Sequence, residues 1–248
     1  MSLLKKAIAD VKKFRNAEVY IYQMGKVGSS SLEASIPNSV HMHTLYGNSP
    51  CCVGEKQRNA GIKRQFVTKT KFLLRRFFIK WKKDVKIITV VREPKARNVS
   101  MFFQELSYWV VDYINKYNPD MRYVDDDFLL EVFEKTFDHD YYDKWFDREI
   151  KRLTGIDVYK KGFDHKKGFN IYKNGRYELM VIRMEDIEKN KNEIEGFINI
   201  EFELENVNDG SRKWYANIYK EFKEKLKIRN IKGLDYVSKS RTAKFFGY

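Results

Sequence analysis

Residues Gln23-Met24-Gly25-Lys26-Val27-Gly28-Ser29-Ser30-Ser31-Leu32 follow the apolar run Val19-Tyr20-Ile21-Tyr22 and precede a short helical pattern that Pro37 ends. An unbroken apolar run of this kind is the mark of a buried strand. A strand over 17–23, a loop of glycine and serine, and a helix over 30–36 together describe one way of holding a phosphate-like anion. Glycine lets backbone approach closely, N–H groups point inward, and the helix start favours negative charge. The hydroxyls of Ser29, Ser30 and Ser31 and the ammonium of Lys26 add to that. The plainer alternative is a strand-turn-helix corner in which the serines only cap the helix.

The position of the lysine separates this loop from the nucleoside-triphosphate type. That type needs Gly, four residues, then Gly-Lys-Ser or Gly-Lys-Thr. Here the lysine stands before the second glycine, as Lys26-Val27-Gly28-Ser29-Ser30. No apolar strand ends in an aspartate placed to hold magnesium. The loop resembles the 5′-phosphosulfate loop of sulfotransferases, enzymes that use 3′-phosphoadenosine 5′-phosphosulfate (PAPS) as sulfuryl donor and release adenosine 3′,5′-bisphosphate (PAP).

A second motif fits the same resemblance. Lys86-Ile-Ile-Thr-Val-Val91 reads as another strand, ending in Arg92-Glu93-Pro94-Lys95-Ala96-Arg97-Asn98-Val99-Ser100. Pro94 suits a first helical turn, where its missing N–H costs nothing. From Val99 to Tyr117 apolar residues recur at spacings of three and four, which predicts one long amphipathic helix. Arg97 and Ser100 share a face of its first turns. Arg92 stands at the carboxyl end of the strand, where open α/β sheets bind ligands. Guanidinium groups make good phosphate clamps. Arg, Pro two residues on, Arg, then Ser eight residues after the first Arg resembles the 3′-phosphate motif of sulfotransferases.

The run Tyr141-Tyr142-Asp143-Lys144-Trp145-Phe146-Asp147 is similar to the Asn-Lys-Trp-Tyr-Ser signature of a family named for capsular polysaccharide synthesis. Asp143 stands for Asn, Phe146 for Tyr and Asp147 for Ser. The Gln-Met-Gly-Lys-Val-Gly-Ser loop, the nearby His41-x-His43 and the aromatic carboxyl end match too, so the resemblance extends from about residue 17 to the end. It implies an α/β, P-loop-like sulfotransferase fold with a central, mainly parallel sheet, flanking helices and helical insertions. It implies PAPS as donor, PAP as product and a carbohydrate acceptor. Gly25, Lys26, Val27, Gly28, Ser29, Ser30 and Ser31 would hold the 5′ end of the donor, and Arg92, Arg97 and Ser100 the 3′-phosphate. Lys239 and Arg241, with Lys244, would belong to a late basic loop closing over the phosphates, the alternative being a frayed tail.

Sulfuryl transfer needs a donor to the leaving phosphate oxygen and a base for the acceptor hydroxyl. Lys26 is the candidate for the first role. His43, ahead of His41, is the candidate for the second, at the expected carboxyl end of a strand over Ser39–Met42. No His/Cys/Asp/Glu cluster suggests a metal.

The 248 residues suffice for one enzyme domain, with a helix over 1–16 and a helical and hairpin insertion over 118–175. The net charge of +14 attracts polyanions. It suits an acidic glycan, and it keeps a nucleic-acid-binding module as an alternative beside a nucleotide kinase. No reading motif for nucleic acid appears. No run of eighteen apolar residues occurs, and adjacent Cys51 and Cys52 give no disulfide framework, so the expected setting is cytoplasmic. The basic, aromatic segment 62–82 is expected as a crossover helix lying on the sheet, with Phe66, Leu73, Phe77 and Trp81 on its packed face. A helix resting on a membrane surface would show the same pattern. Further expectations are an Asp125-Asp126-Asp127 cap on a helix through Phe137, and a helix from Tyr141 to Leu153. They continue with a type I′ hairpin turn at Asn174-Gly175, and helices over 187–198 and 211–228.

Overall fold

The computed structural model describes residues 3–47, 61–120, 127–205 and 213–248. Cys51, Cys52, Asp125 and Asp126 lie outside them. Five strands form one sheet: β1 (Val19–Tyr22), β2 (Ser39–Met42), β3 (Val85–Val91), β4 (Phe169–Asn174) and β5 (Tyr177–Arg183). Their order is β2-β1-β3-β5-β4. The first four run parallel, and β4 lies antiparallel on the edge. β1 is buried throughout and β3 nearly so, which explains their unbroken apolar sequences. The sheet is thus mixed α/β and mainly parallel, as its sequence predicts.

Strand order positions the site. β1 connects through α2 (Ser29–Ser35) to β2 on one side, and β3 lies on the other. Chain connections therefore leave the sheet in opposite directions from β1 and β3. The crevice beyond their carboxyl ends is the place where open α/β sheets take ligands.

The chain divides into two units, residues 1–92 with 144–208, and residues 93–143 with 209–248. The first holds the sheet, α1 (Leu3–Asn16), α2, α3 (Ile62–Trp81) and α8 (Lys191–Ile198). Here α3 is the crossover from β2 to β3, yet its apolar stripe does not lie on the sheet. Phe66, Leu73, Phe77 and Trp81 are exposed, while Ile79 and Arg75 are buried. Arg75 explains the reversal. Its guanidinium holds Asp10 of α1 through Nε (2.9 Å) and Nη2 (2.5 Å), so the helix docks by its polar-edged side.

The second unit is helical: α4 (Pro94–Gln104), α5 (Leu106–Tyr117), α6 (Phe128–Thr136), α9 (Ala216–Ile228), α10 (Lys232–Ser238) and α11 (Arg241–Phe246). Its core is aromatic. The Phe102 ring lies 4.8 Å from Phe133, 5.5 Å from Phe103 and 5.6 Å from Phe222. The long helix expected from Val99 to Tyr117 is broken at Glu105, whose φ of −121° leaves the helical range. Asp127 does not cap α6 with its side chain; it pairs instead with Arg229 (2.6 Å) and Lys225 (3.4 Å).

Helix α7 (Tyr141–Trp145) crosses from one unit to the other and continues as a π-helix over Phe146–Lys151, then as Arg152–Thr154. The hairpin turn is Gly175-Arg176, since Asn174 already pairs with Tyr177. Only Gly175 has positive φ (54°), which excludes the expected type I′ turn. Residues 184–186 form a 3₁₀ turn, and α8 begins only at Lys191.

Candidate functional site

Three carboxyl ends of the sheet converge on the loop after β1. Beyond Ile21 and Ile88 the β1–β3 pairing gives way to side chains. Thr89 Oγ1 donates to the Tyr22 carbonyl (2.6 Å), and the Gln23 Oε1 accepts from Val90 N–H (2.9 Å). Gln23 is fully buried, and its Nε2 has no acceptor among the described residues. This side-chain pairing frees the backbone after Gln23 to turn out of the sheet.

The turn is tight. Lys26 (φ 71°) and Gly28 (φ 86°) are left-handed, on either side of Val27. Alternating handedness aims successive N–H groups at a common centre, the geometry of anion-binding nests. A lysine in the left-handed region is held there against its preference, a strain that clusters at functional sites. Gly28 is favoured by its left-handed φ, and a Cβ there would also stand a close 3.2 Å from Met184 Cγ, after β5. Gly28 occupies the N-cap position of α2, so Ser29, Ser30 and Ser31 are inside the helix and none is its cap. The capping alternative therefore fails.

Arg92 leaves the end of β3 and reaches the loop: its Nη1 donates to the Lys26 carbonyl at 3.2 Å. The two residues expected at neighbouring strand tips thus meet. This contact sets a guanidinium, a good phosphate clamp, against the strained glycine loop that carries Lys26.

The loop after β2 completes this edge. His43 follows the strand and is exposed; its Nδ1 lies 3.0 Å from the Gln23 carbonyl. That carbonyl only accepts, so Nδ1 carries the proton and Nε2 is the basic nitrogen of the neutral ring, the tautomer a general base needs. His41 is different. It lies within β2 opposite Ile21, largely buried, with its Nε2 lacking a hydrogen-bond partner. Burial above all, then His43 and Lys13, lowers its pKa to about 3, so it stays neutral at ordinary pH. The rings sit 4.3 Å apart, edge to face. Of the pair, only His43 has the exposure and tautomer for proton transfer.

A buried network behind His43 escapes a motif search. Trp145 Nε1 donates to the His43 carbonyl at 3.0 Å, with its ring 5.4 Å from Tyr22. Glu149, wholly buried in the π-helical segment, accepts from Leu45 N–H (2.8 Å), Thr44 Oγ1 (2.8 Å) and the Tyr22 hydroxyl. Burial raises the Glu149 pKa, against which these hydrogen bonds act. The one sequence signal was its spacing: Tyr142, Trp145, Phe146, Glu149 and Ile150 form a single inward face, and a carboxylate there requires partners. π-Helical segments are frequent at functional sites.

The remaining expected residues belong to the second unit. Arg97 is completely buried, its guanidinium donating to Asn98 Oδ1 (2.9 Å) and lying 5.6 Å from the Tyr141 ring centre; Ser100 is half-buried on the same helix. Lys239 and Arg241 are exposed at the junction of α10 and α11. The carboxyl end is neither a loop nor frayed. Ser240 caps α11 by accepting from Ala243 N–H (3.2 Å), and Thr242, Ala243 and Phe246 are buried. Asp143 anchors this helix, accepting from Thr242 N–H (2.8 Å) and Oγ1 (2.6 Å).

Asp143, Trp145 and Glu149 are therefore structural anchors within one short segment, and that segment is where comparison with known proteins succeeds. Residues 120–246 match the family model described as "Putative capsular polysaccharide synthesis protein". The chain belongs to that family. The match spans the Asp143-Lys144-Trp145-Phe146-Asp147 signature, and the family's description ties the chain to polysaccharide biosynthesis. The family segment begins downstream of both the Lys26 loop and the Arg92–Ser100 segment. No curated protein and no solved structure matches the chain. Among the described residues there is no group of three or more His, Cys, Asp and Glu able to hold a metal, and no helix long and apolar enough to cross a membrane.

Proposed function

We propose that this family member is a PAPS-dependent sulfotransferase that sulfates a hydroxyl of a surface or capsular polysaccharide, or of a glycolipid. The observation that carries the reading is the meeting of Arg92 with the strained Lys26 loop at the β1/β3 crevice, with His43 tethered to the same loop through Gln23. PAPS fits such a corner by chemistry: it presents phosphate and sulfate to N–H groups, an ammonium and a guanidinium.

The acceptor hydroxyl attacks sulfur in line with the leaving phosphate oxygen. The new S–O bond forms as the bond from sulfur to the phosphate oxygen breaks. Lys26 donates to that bridging oxygen as negative charge grows there. His43 Nε2 removes the hydroxyl proton, and the imidazolium is stabilised by its Nδ1–H bond to the Gln23 carbonyl. Trp145 and Glu149 fix the chain on which His43 rides.

The test is thermal shift and sulfate transfer. PAP should raise Tm, by mass action on the folded state, and ATP with magnesium should not. Lys26→Ala should cut transfer of labelled sulfate from PAPS to glycans by ~10²-fold or more while PAP still binds, because the lost donor acts chiefly in the transition state. Stabilisation by ATP and none by PAP would show that the donor is wrong.

A further inference from the structure

The crossover helix α3 presents to solvent what a water-soluble surface ordinarily hides. Ile62, Phe66, Leu73, Phe77 and Trp81 are exposed, three of them by more than 70% (Ile62 88%, Phe66 71%, Trp81 74%). At 100° per residue they fall on one side of the helix, together with exposed Lys69 and Lys80. Phe66 and Leu74 continue, with Ile8 and Val11 of α1, into an apolar groove of about 210 Å³ between the two helices. Contiguous exposed apolar surface of this kind marks an interaction site.

Charge selects the occupant. α3 carries seven basic residues and no acidic one, and the one acidic residue of α1, Asp10, is engaged by Arg75 and Lys71. A second copy docked face to face would set one basic, acid-free patch against another, since a twofold contact uses the same patch on both sides. A nucleic acid or glycan would satisfy the lysines but leave Ile62, Leu73 and Trp81 in water. An anionic bilayer answers both features at once: headgroups for the lysines, and the acyl boundary for aliphatic and aromatic side chains, with tryptophan favoured at the interface.

We propose that α3, with the adjoining groove of α1, is a docking surface for anionic phospholipid membranes. It rests on different residues from the transfer site and holds whether or not PAPS is the donor.

The experiment is co-sedimentation of the full chain with vesicles of phosphatidylcholine alone or mixed with phosphatidylglycerol. The expected partitioning is at least about tenfold stronger on the mixed vesicles, and weakened by salt. Leu73→Ser with Trp81→Ser, both at exposed positions, should reduce binding about tenfold or more with an unchanged Tm, and Lys69→Glu with Lys80→Glu should do likewise. Three results would overturn the proposal. One is equal partitioning on neutral and anionic vesicles. Another is anionic binding that the Leu73/Trp81 variant leaves intact, which would reduce it to charge alone. The third is a concentration-dependent dimer in light scattering that the same variant abolishes, which would make the face a contact between copies.

Discussion

At the scale of single residues, environment separates histidines that look alike in sequence. His41 and His43 are two positions apart, but only His43 has its Nδ1 on a backbone carbonyl and its ring in solvent. His139 is buried and His41 largely so, and burial above all lowers their pKa values to about 4 and about 3. An unfolded histidine titrates near 6.5. Between about pH 6.5 and about 4 the unfolded chain therefore binds protons that the folded chain refuses, so stability falls as pH falls through that window and stops falling below the folded values. Tm should drop measurably from pH 7 to pH 5, and His41→Asn with His139→Asn should flatten that drop. A double variant as acid-sensitive as the parent would show that other groups control it. The sharp turn after β1 was readable because glycines between a strand and a helix imply a tight backbone, and Lys26 and Gly28 have positive φ there. The individual fates of Arg97 and Asp143 were not: nothing in a motif says that a guanidinium will be buried against Tyr141, or that an aspartate will hold α11.

At the scale of elements, the strands were the most legible part. β1, β3 and β5 lie where apolar runs predict them, because a buried parallel strand has little freedom to be anything else. Helix faces were less legible. The stripe on α3 has the right period, but the Arg75–Asp10 pair turned the helix about its axis and left that stripe in water. The break at Glu105 was also invisible, as spacing alone continues through it. Around α7, periodicity found the inward face but not its purpose. Glu149 receives three donors, one from the last residue of β1 and two from the chain after β2, so its removal orphans buried groups, each costing about 1–3 kcal/mol. Glu149→Ala should lower stability by about 3 kcal/mol or more in denaturant titration. Trp145→Phe loses the bond to the His43 carbonyl and part of a fully buried indole, so it should lower Tm by a few degrees and also lower kcat more than it raises KM. A fall in Tm with kcat unchanged at a temperature where the variant is folded would reduce this residue to packing.

At the scale of the whole molecule, the chain is organised as a sheet unit and an aromatic helical unit, each assembled from two separated stretches. No composition shift or linker announces that division, because each unit borrows its second half from far along the chain. Net charge is the whole-molecule property that sequence does give directly: +14, with basic residues spread along its length. A surplus of that size steers anions by its field, and steering is screened within about 8–10 Å at moderate salt. If PAP is the natural ligand, its association rate in stopped flow should fall about tenfold or more between roughly 20 and 200 mM salt, with dissociation changing far less. Duplex nucleic acid should also bind, because the field does not discriminate, but with a steeper salt slope than PAP, since more counterions are released along a polymer. Arg92→Ala separates the two effects. It removes one charge of many, so the salt slope should persist, while PAP dissociation accelerates because a specific clamp is gone. A variant that loses the salt slope and keeps the dissociation rate would place Arg92 in the field and not in the site.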